Sequence, residues 1–334
     1  MKKLVNLFQS RMLESKLHPA FRALRDSSMH VDARSLMNEL YARMGDPNGN
    51  FPRDFQTDGF HSRLFELACF AYLESAGFVL DRSHESPDFL ATTQDGVTIA
   101  IEATTANPTA GRATDISLVQ MPDLSEAEIF NKVESEFPRR MVSVLQKKLA
   151  HRYHELPHCF GKPLVLMVAP FFEPGAVFYT GESLLKCLYG AGEIAADSAV
   201  PFFDLPDAGS ISAVLYCNAF TVPRFLRLAT KFDNAEEVRA VRQGVCYIGD
   251  PGVDSHPHEF QFQVGDSSAP EETWHEGVSL FINPNAAHPL LPSLLPRTCT
   301  FSARENVVNR EVHGFHPVTS FMRISVGGNG GKAA

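Results

Sequence analysis

Residues 87–104 read PDFLATTQDGVTIAIEAT and carry the clearest structural signal in the chain. Its apolar stretches, at residues 89–91 and 97–104, are typical of β-strands. The Asp95-Gly96 pair between them favours a tight turn. The segment therefore predicts a β-hairpin.

Two carboxylates belong to this hairpin. Asp88 comes directly before the first strand, and Glu102 lies in the second strand, on the face opposite to that of Ile101. Because the hairpin folds the chain back, we expect Asp88 and Glu102 to lie near each other. Close carboxylates repel unless a divalent cation lies between them, and Mg²⁺ (or Mn²⁺) suits oxygen ligands. The pair predicts a metal site; the alternative is that both carboxylates are solvated.

A third acid lies in the helix predicted before the hairpin. Residues 60–76 are apolar around their middle, which is typical of a helix buried on most sides. Glu66 lies within this stretch, and an unpaired buried carboxylate is energetically costly. Glu66 must therefore meet a metal ion, strong hydrogen-bond donors or a cation. Pairing with Arg63, or with an arginine from another element, is the alternative to metal binding.

The remaining patterns extend this core. The predicted order is helix, three strands, helix and strand, with the strands at 78–80, 89–91 and 97–104, the second helix at 125–154 and the last strand at 164–168. We expect four parts along the chain: an N-terminal helical segment at 1–54, a core at 55–170, a C-terminal extension packed on it at 171–326, and a flexible tail at 327–334.

The pattern Pro87-Asp88, thirteen residues, then Glu102-x-Thr104, after a helical Glu66, resembles the PD-(D/E)XK nuclease superfamily. The resemblance covers residues 55–170. It implies an α/β, restriction-endonuclease-like αβββαβ core with a mixed central sheet flanked by helices. It also implies Asp88 and Glu102 as Mg²⁺ (or Mn²⁺) ligands and Glu66 as the extra helical acid of many members. Further segments are similar to those of an uncharacterised bacterial protein family, at residues 55–60, 82–89, 101–104 and 281–286.

The sequence departs from the superfamily pattern at Thr104, which stands where the motif has lysine. That lysine polarises the scissile phosphate or the attacking water, and an uncharged threonine cannot replace it. In some members the next helix supplies the lysine, and by that resemblance Lys148 is the expected substitute, with Lys147 second. The alternative is that both lysines are solvated helix charges and that the protein is a degraded nuclease.

The same helix carries the strongest basic tract of the chain. Residues 137–154 contain five basic side chains and no acid, against a net charge of −9 for all 334 residues. Besides Lys148, the basic residues are Arg139, Arg140, Lys147 and Arg152. Such a tract predicts phosphate contacts along DNA or RNA, although a solvated helix face has the same composition. A weaker patch has Arg224, Arg227 and Lys231 at helical spacing.

Composition and the lack of certain motifs limit the classes of function that the sequence supports. Six cysteines are scattered singly, with no C-x-x-C pair, which favours free thiols in a reducing cytoplasm. The sequence shows no apolar run long enough for a membrane span, so we expect no membrane partner. It also lacks a nucleophile-elbow, phosphate-loop or dinucleotide motif.

The leading prediction is a metal-dependent nuclease, with Glu66, Asp88, Glu102 and Lys148 as its catalytic residues. A role in host defence is one that the superfamily resemblance implies. The first alternative is a catalytically degraded protein on the same fold that binds nucleic acid or a protein partner. The second is a metal-dependent hydrolase that acts on another class of substrate.

Overall fold

A computed structural model describes residues 6–109, 123–190, 200–229, 238–246, 257–305 and 307–326. The predicted flexible tail at 327–334 and the predicted basic residue Lys231 lie outside these ranges. The helices are α1 (Pro19–Asp26), α2 (Val31–Met44), α3 (Phe51–Gln56), α4 (Phe60–Ser75), α5 (Glu126–Asn131), α6 (Phe137–Leu149), α7 (Leu185–Tyr189) and α8 (Val222–Ala229).

Eleven strands are described, in two sheets. They are β1 (Val79–Asp81), β2 (Phe89–Thr92), β3 (Thr98–Ala106), β4 (Leu164–Pro170), β5 (Ala213–Cys217), β6 (Val238–Cys246), β7 (His258–Gln263), β8 (Val278–Ile282), β9 (Cys299–Arg304), β10 (Val307–Val312) and β11 (Thr319–Val326). The large sheet has the order β1-β2-β3-β4-β5-β8-β9-β10, and the small sheet has the order β11-β6-β7.

The large sheet is mixed, which confirms the predicted α/β class with helices on both faces. Strands β1, β2 and β3 form an antiparallel meander, whereas β3, β4 and β5 run parallel. The predicted hairpin is thus present, and the element order helix, three strands, helix, strand is found in α4, β1–β3, α6 and β4. The C-terminal half extends the same sheet through β5 and β8–β10.

The alternation of side chains along the central strands explains why helices cover both faces. Ile99 and Ile101 of β3 pack into one core with α4, whereas Ala100 packs into the other core with α6. All seven residues of β4 are buried, as expected for a parallel strand with helices on each side. Glu102, one position beyond Ile101, therefore belongs to the α6 face.

The predicted helix at 125–154 is divided. A π-helical turn at Lys132–Glu136 separates α5 from α6, and Pro138 lies in the first turn of α6, where its missing N–H is tolerated. Helix α6 ends at Leu149, before the predicted end, and Arg152 has a left-handed backbone with φ of 52°. Among the described residues, no helix is long and apolar enough to cross a bilayer.

Candidate active site

Asp88 and Glu102 lie opposite each other at the start of the hairpin. Phe89 of β2 pairs with Ile101 of β3, so the next position in this antiparallel register sets Asp88 against Glu102. The Ala103 N–H donates a hydrogen bond of 2.8 Å to Asp88 Oδ2. The backbone of β3 therefore holds Asp88 in place, and the predicted proximity of the two carboxylates is present in the structure.

This arrangement makes the ionised form of Asp88 energetically unfavourable. Burial raises the pKa of Asp88 well above its usual range, and the charges of Glu102 and Glu66 raise it further. The Ala103 N–H and the Lys148 ammonium act in the opposite direction. Burial and the neighbouring carboxylates thus both disfavour the ionised form of Asp88, and a cation between Asp88 and Glu102 would favour it.

Lys148 of α6 lies in direct contact with this pair. Its Nζ is 2.5 Å from Glu102 Oε1, and the Glu102 residue is only 6% exposed. The ammonium group is thus within reach of any phosphate that approaches the carboxylates. Thr104 lies two residues further along β3, on the same face of the strand as Glu102, and it lines the same cleft as Lys148.

Glu66 is buried in α4, and two guanidinium groups hold it. Arg63 Nη1 donates to Glu66 Oε2 at 2.6 Å, and Arg82 Nη2 donates to Glu66 Oε1. Arg63 also pairs with Asp54 at 2.9 Å. This is the pairing that the sequence left open as the alternative to metal binding. The role of Glu66 as a metal ligand stays a prediction, but both of its oxygens already accept from arginine.

A basic cleft of about 760 Å³ is lined by Lys148, the residue that contacts Glu102. One wall is the end of β3 with residues 107–109, and the other wall is α6. The cationic and histidine side chains that line it are Arg139, Arg140, Lys147, Lys148 and His151. Arg140 joins the two walls, because it donates to the Asn107 carbonyl and, at 3.1 Å, to Thr109 Oγ1. Four of the five residues of the predicted basic tract therefore line one concave surface, and Lys148 joins that surface to Glu102.

The remaining predicted basic residues are placed differently. Arg152 lies beyond the end of α6 and pairs with Glu155 at 2.5 Å. The two arginines of the weaker patch that the structure describes do not form a surface patch: Arg224 is fully buried, and Arg227 pairs with Glu272 at 2.8 Å. Arg224 and Arg227 do lie in one helix, α8, as their spacing predicts. Helical spacing alone does not distinguish a solvated helix face from a buried cluster of ion pairs.

Two contributors to the site were missed by the sequence argument. Tyr153 is buried after the left-handed turn at Arg152 and lies near Glu102; burial, followed by the Glu102 charge, raises the pKa of its hydroxyl. His158 bonds through Nε2 to the Ser86 carbonyl at 2.7 Å and so supports the segment before Asp88. Tyr153 and His158 both follow the turn that ends α6. No pattern in the sequence indicates that the chain after this turn lies beside the hairpin.

Comparison with protein-family models, with curated proteins and with solved structures finds no match for this chain. Within the described ranges, no group of three or more His, Cys, Asp or Glu side chains is arranged to hold a metal ion. The candidate metal site is therefore a pair of carboxylates, Asp88 and Glu102, and the functional argument depends on the geometry of this pair and its cleft.

Proposed function

We propose that this protein is a metal-dependent nuclease that hydrolyses nucleic-acid phosphodiester bonds on a restriction-endonuclease-like αβββαβ core. The observation that supports it is the contact of Lys148 with Glu102, beside Asp88, at the end of a cleft lined by basic side chains. Carboxylates, an ammonium and a phosphate-binding surface are the groups that phosphodiester hydrolysis needs, and here they adjoin each other.

The donor set fits Mg²⁺ or Mn²⁺. Asp88 and Glu102 would hold the ion, since both provide hard oxygen ligands and Asp88 carries a raised pKa that a cation would lower. A bound ion of this kind supplies Lewis acidity to the phosphate and lowers the pKa of water. Waters would complete its coordination, as is usual for Mg²⁺.

The residues of the chain supply binding and charge stabilisation. The Lys148 ammonium can donate to a phosphate oxygen and stabilise the charge that develops on it. Arg139 and Lys147 bind flanking phosphates from the α6 wall of the cleft. Arg140 keeps residues 107–109 against α6, so the width of the cleft is fixed before a substrate arrives.

The experiment that tests the proposal is a cleavage assay of the full chain. Supercoiled plasmid, linear duplex DNA and single-stranded RNA are each incubated with Mg²⁺, with Mn²⁺ and with EDTA. We expect products in one or both metal ions and none in EDTA. Turnover in EDTA at the same rate would contradict the metal-dependent function.

The second candidate function is binding of nucleic acid without cleavage, by a protein on the same fold that has lost its catalytic activity. One observation favours this candidate. Lys148 pairs with Glu102 at 2.5 Å, so the lysine itself neutralises part of the site. Nucleic-acid binding without turnover in either metal ion would support this candidate over the nuclease.

The first variant that we predict is Lys148→Met, which has opposite effects on two measurements. Removal of the ammonium frees Glu102 for a cation, so Mn²⁺ binding should tighten by roughly tenfold, given about 1.5–3 kcal/mol for a charge-assisted hydrogen bond. Cleavage should fall by roughly a hundredfold, because an electrostatic donor to the phosphate is lost. Mn²⁺ affinity is measured by electron paramagnetic resonance without substrate.

Lys147→Met is the matched control for this variant. Lys147 is the adjacent, exposed lysine of α6, and it lines the cleft with Lys148. We expect its Mn²⁺ affinity to equal that of the wild type. Unchanged or weaker Mn²⁺ binding in Lys148→Met would show that Lys148 does not compete with a cation at Glu102.

The second prediction concerns the cleft. The double variant Arg139→Gln with Lys147→Gln removes two cations from the α6 wall. We expect weaker binding to all sequences alike and a fall of about two in the slope of log affinity against log salt concentration. Fluorescence anisotropy with a labelled oligonucleotide in EDTA measures both. Arg152→Gln is the control, since Arg152 pairs with Glu155, and an equal loss in it would contradict the assignment of the cleft.

A further inference from the structure

The buried acid of α4, Glu66, bears on the number of metal ions that the candidate site can hold. The residue is 4% exposed, and burial together with the charges of Glu102 and Glu66 raises the pKa of Asp88, so Glu66 lies within electrostatic range of Asp88. The sequence offers Glu66 as a third metal ligand. The number of carboxylates that are available to cations decides whether such a site holds one divalent ion or two.

Both carboxylate oxygens of Glu66 accept hydrogen bonds from guanidinium groups. Arg63 Nη1 donates to Oε2 at 2.6 Å, and Arg82 Nη2 donates to Oε1. We call this arrangement the arginine clasp. For Glu66 to bind a metal ion, at least one guanidinium would have to turn away, and it would then lie unpaired and mostly buried beside a second positive charge. The clasp therefore opposes metal binding by Glu66.

Further partners hold both arginines of the clasp in place. Arg82 also donates to the Gly45 carbonyl at 2.8 Å, and its guanidinium lies 5.3 Å from the centroid of the Phe89 ring. Arg63 also donates to Asp54 Oδ2 at 2.9 Å. A guanidinium that has several partners in fixed directions loses them together when it turns away. Displacement of either arginine by a metal ion would therefore break more than its contact with Glu66.

The charge balance of the carboxylate pair favours one divalent ion. Asp88 and Glu102, when ionised, carry two negative charges, and the Lys148 ammonium compensates one of them. One divalent ion changes the remaining charge to a single positive one, which a phosphodiester group would neutralise. A second divalent ion would add two further positive charges, and the described part of the chain places no third acid in ligand geometry with this pair.

We propose that the site takes a single divalent ion, held by Asp88 and Glu102, because the arginine clasp withholds Glu66 from it. This inference rests on the proposed function, since the ion is the one that the nuclease would use. Arg82 is then a positioning residue, which acts on the ion through Glu66 and not by contact with it. The clasp also ties the segment between β1 and Asp88 to α4, because Arg82 begins that segment.

The first measurement is the number of Mn²⁺ ions that the full wild-type chain binds without substrate, by electron paramagnetic resonance and calorimetry. We expect one tightly bound ion per chain, and two would overturn the proposal. If one ion binds and no nucleic acid is cleaved, the single-ion site is supported and the nuclease function is contradicted. If no ion binds, both are contradicted.

The second measurement is the Mn²⁺ affinity of Arg82→Met, in which one oxygen of Glu66 loses its donor. We expect Mn²⁺ to bind roughly tenfold more tightly, because the affinity of a site for a hard cation rises with the number of charged ligands. Removal of an arginine with a purely structural role would weaken Mn²⁺ binding or leave it unchanged. Unchanged or weaker Mn²⁺ binding in folded Arg82→Met would therefore overturn the proposal.

The double variant Arg82→Met with Glu66→Gln is the matched control. It removes one positive and one negative charge, so the net charge near the site is that of the wild type, and it leaves no freed carboxylate. We expect its Mn²⁺ affinity to equal that of the wild type, and a gain as large as that of Arg82→Met would overturn the proposal. Circular dichroism checks that each variant folds. Arg82→Lys, which keeps the charge but not the paired donors, replaces Arg82→Met if that variant does not fold, and a smaller gain is expected from it.

Discussion

We expect Glu102→Gln to lower metal-dependent cleavage by about a thousandfold. The amide keeps the shape of the side chain but removes the charge that would hold a divalent ion, and it cannot pair with the Lys148 ammonium as a carboxylate does. Initial rates on the best substrate of the wild type measure the effect. Glu85→Gln is the control, because Glu85 is an exposed acid of the segment before Asp88.

Asp88→Asn should lower metal-dependent cleavage by about as much as Glu102→Gln does, and it should raise the free energy of unfolding. Its amide oxygen can still accept the Ala103 N–H, so the hairpin contact survives. The folded protein raises the pKa of Asp88, so ionised Asp88 opposes folding. Protonated Asp88 stabilises the folded protein. This contribution is complete below the pKa that Asp88 has in the unfolded chain, and it is lost as pH rises through the pKa that Asp88 has in the folded protein. Asp88→Asn should therefore be more stable than the wild type at pH 7, with a gain that declines towards pH 4.

The two carboxylate variants separate the candidate functions. Loss of cleavage with retained binding in both variants supports the nuclease. Cleavage at the wild-type rate in Glu102→Gln would exclude the proposed site, whatever the metal dependence of the wild type. If the wild type binds nucleic acid and neither metal ion produces cleavage, the degraded protein is the better description.

The local part of the fold was predictable because it depends on neighbours in sequence. The hairpin of β2 and β3 follows from alternation and the Asp95-Gly96 turn, and its register follows from the length of that turn. The position of Asp88 against Glu102 is a consequence of this register. The resemblance predicts Lys148 only as the substitute for the motif lysine; its contact with Glu102, 46 positions away in the chain, is visible only in the structure.

The C-terminal half was less predictable because its pairing is non-local. Strand β5 pairs with β8, some 60 residues later, and short apolar runs do not specify such partners. The arginines of α8 illustrate the same limit. Their spacing is that of a solvated helix face, and only the partners Glu272 and Glu276, from a distant loop, show that they are buried.

These buried arginines lead to the largest expected effect on stability. Glu276→Gln removes the carboxylate that accepts from Arg224, Arg227 and Arg242 and leaves three buried guanidinium groups with the Glu272 carboxylate alone. Breaking a buried ion pair by removal of one partner costs about 3–5 kcal/mol. Urea denaturation at pH 7 should show a loss of this size, whereas Glu259→Gln, at an exposed acid of β7, should show almost none.

The pH dependence of stability gives an independent measurement of the same cluster. The three arginines lower the pKa of Glu276 to about 2, against the opposing effect of burial. Its stabilisation is therefore present above the unfolded pKa and is lost as pH falls through about 2, so the stabilities of wild type and Glu276→Gln should converge in acid. The double variant Arg242→Met with Glu276→Leu should lose less than the sum of the two single variants, because these two side chains pair with each other, although Arg224 and Arg227 still lose Glu276 in it. A loss in Glu276→Gln below about 1 kcal/mol would mean that water or backbone carbonyls compensate these arginines, and that the loop before β8 is not held by the ion cluster.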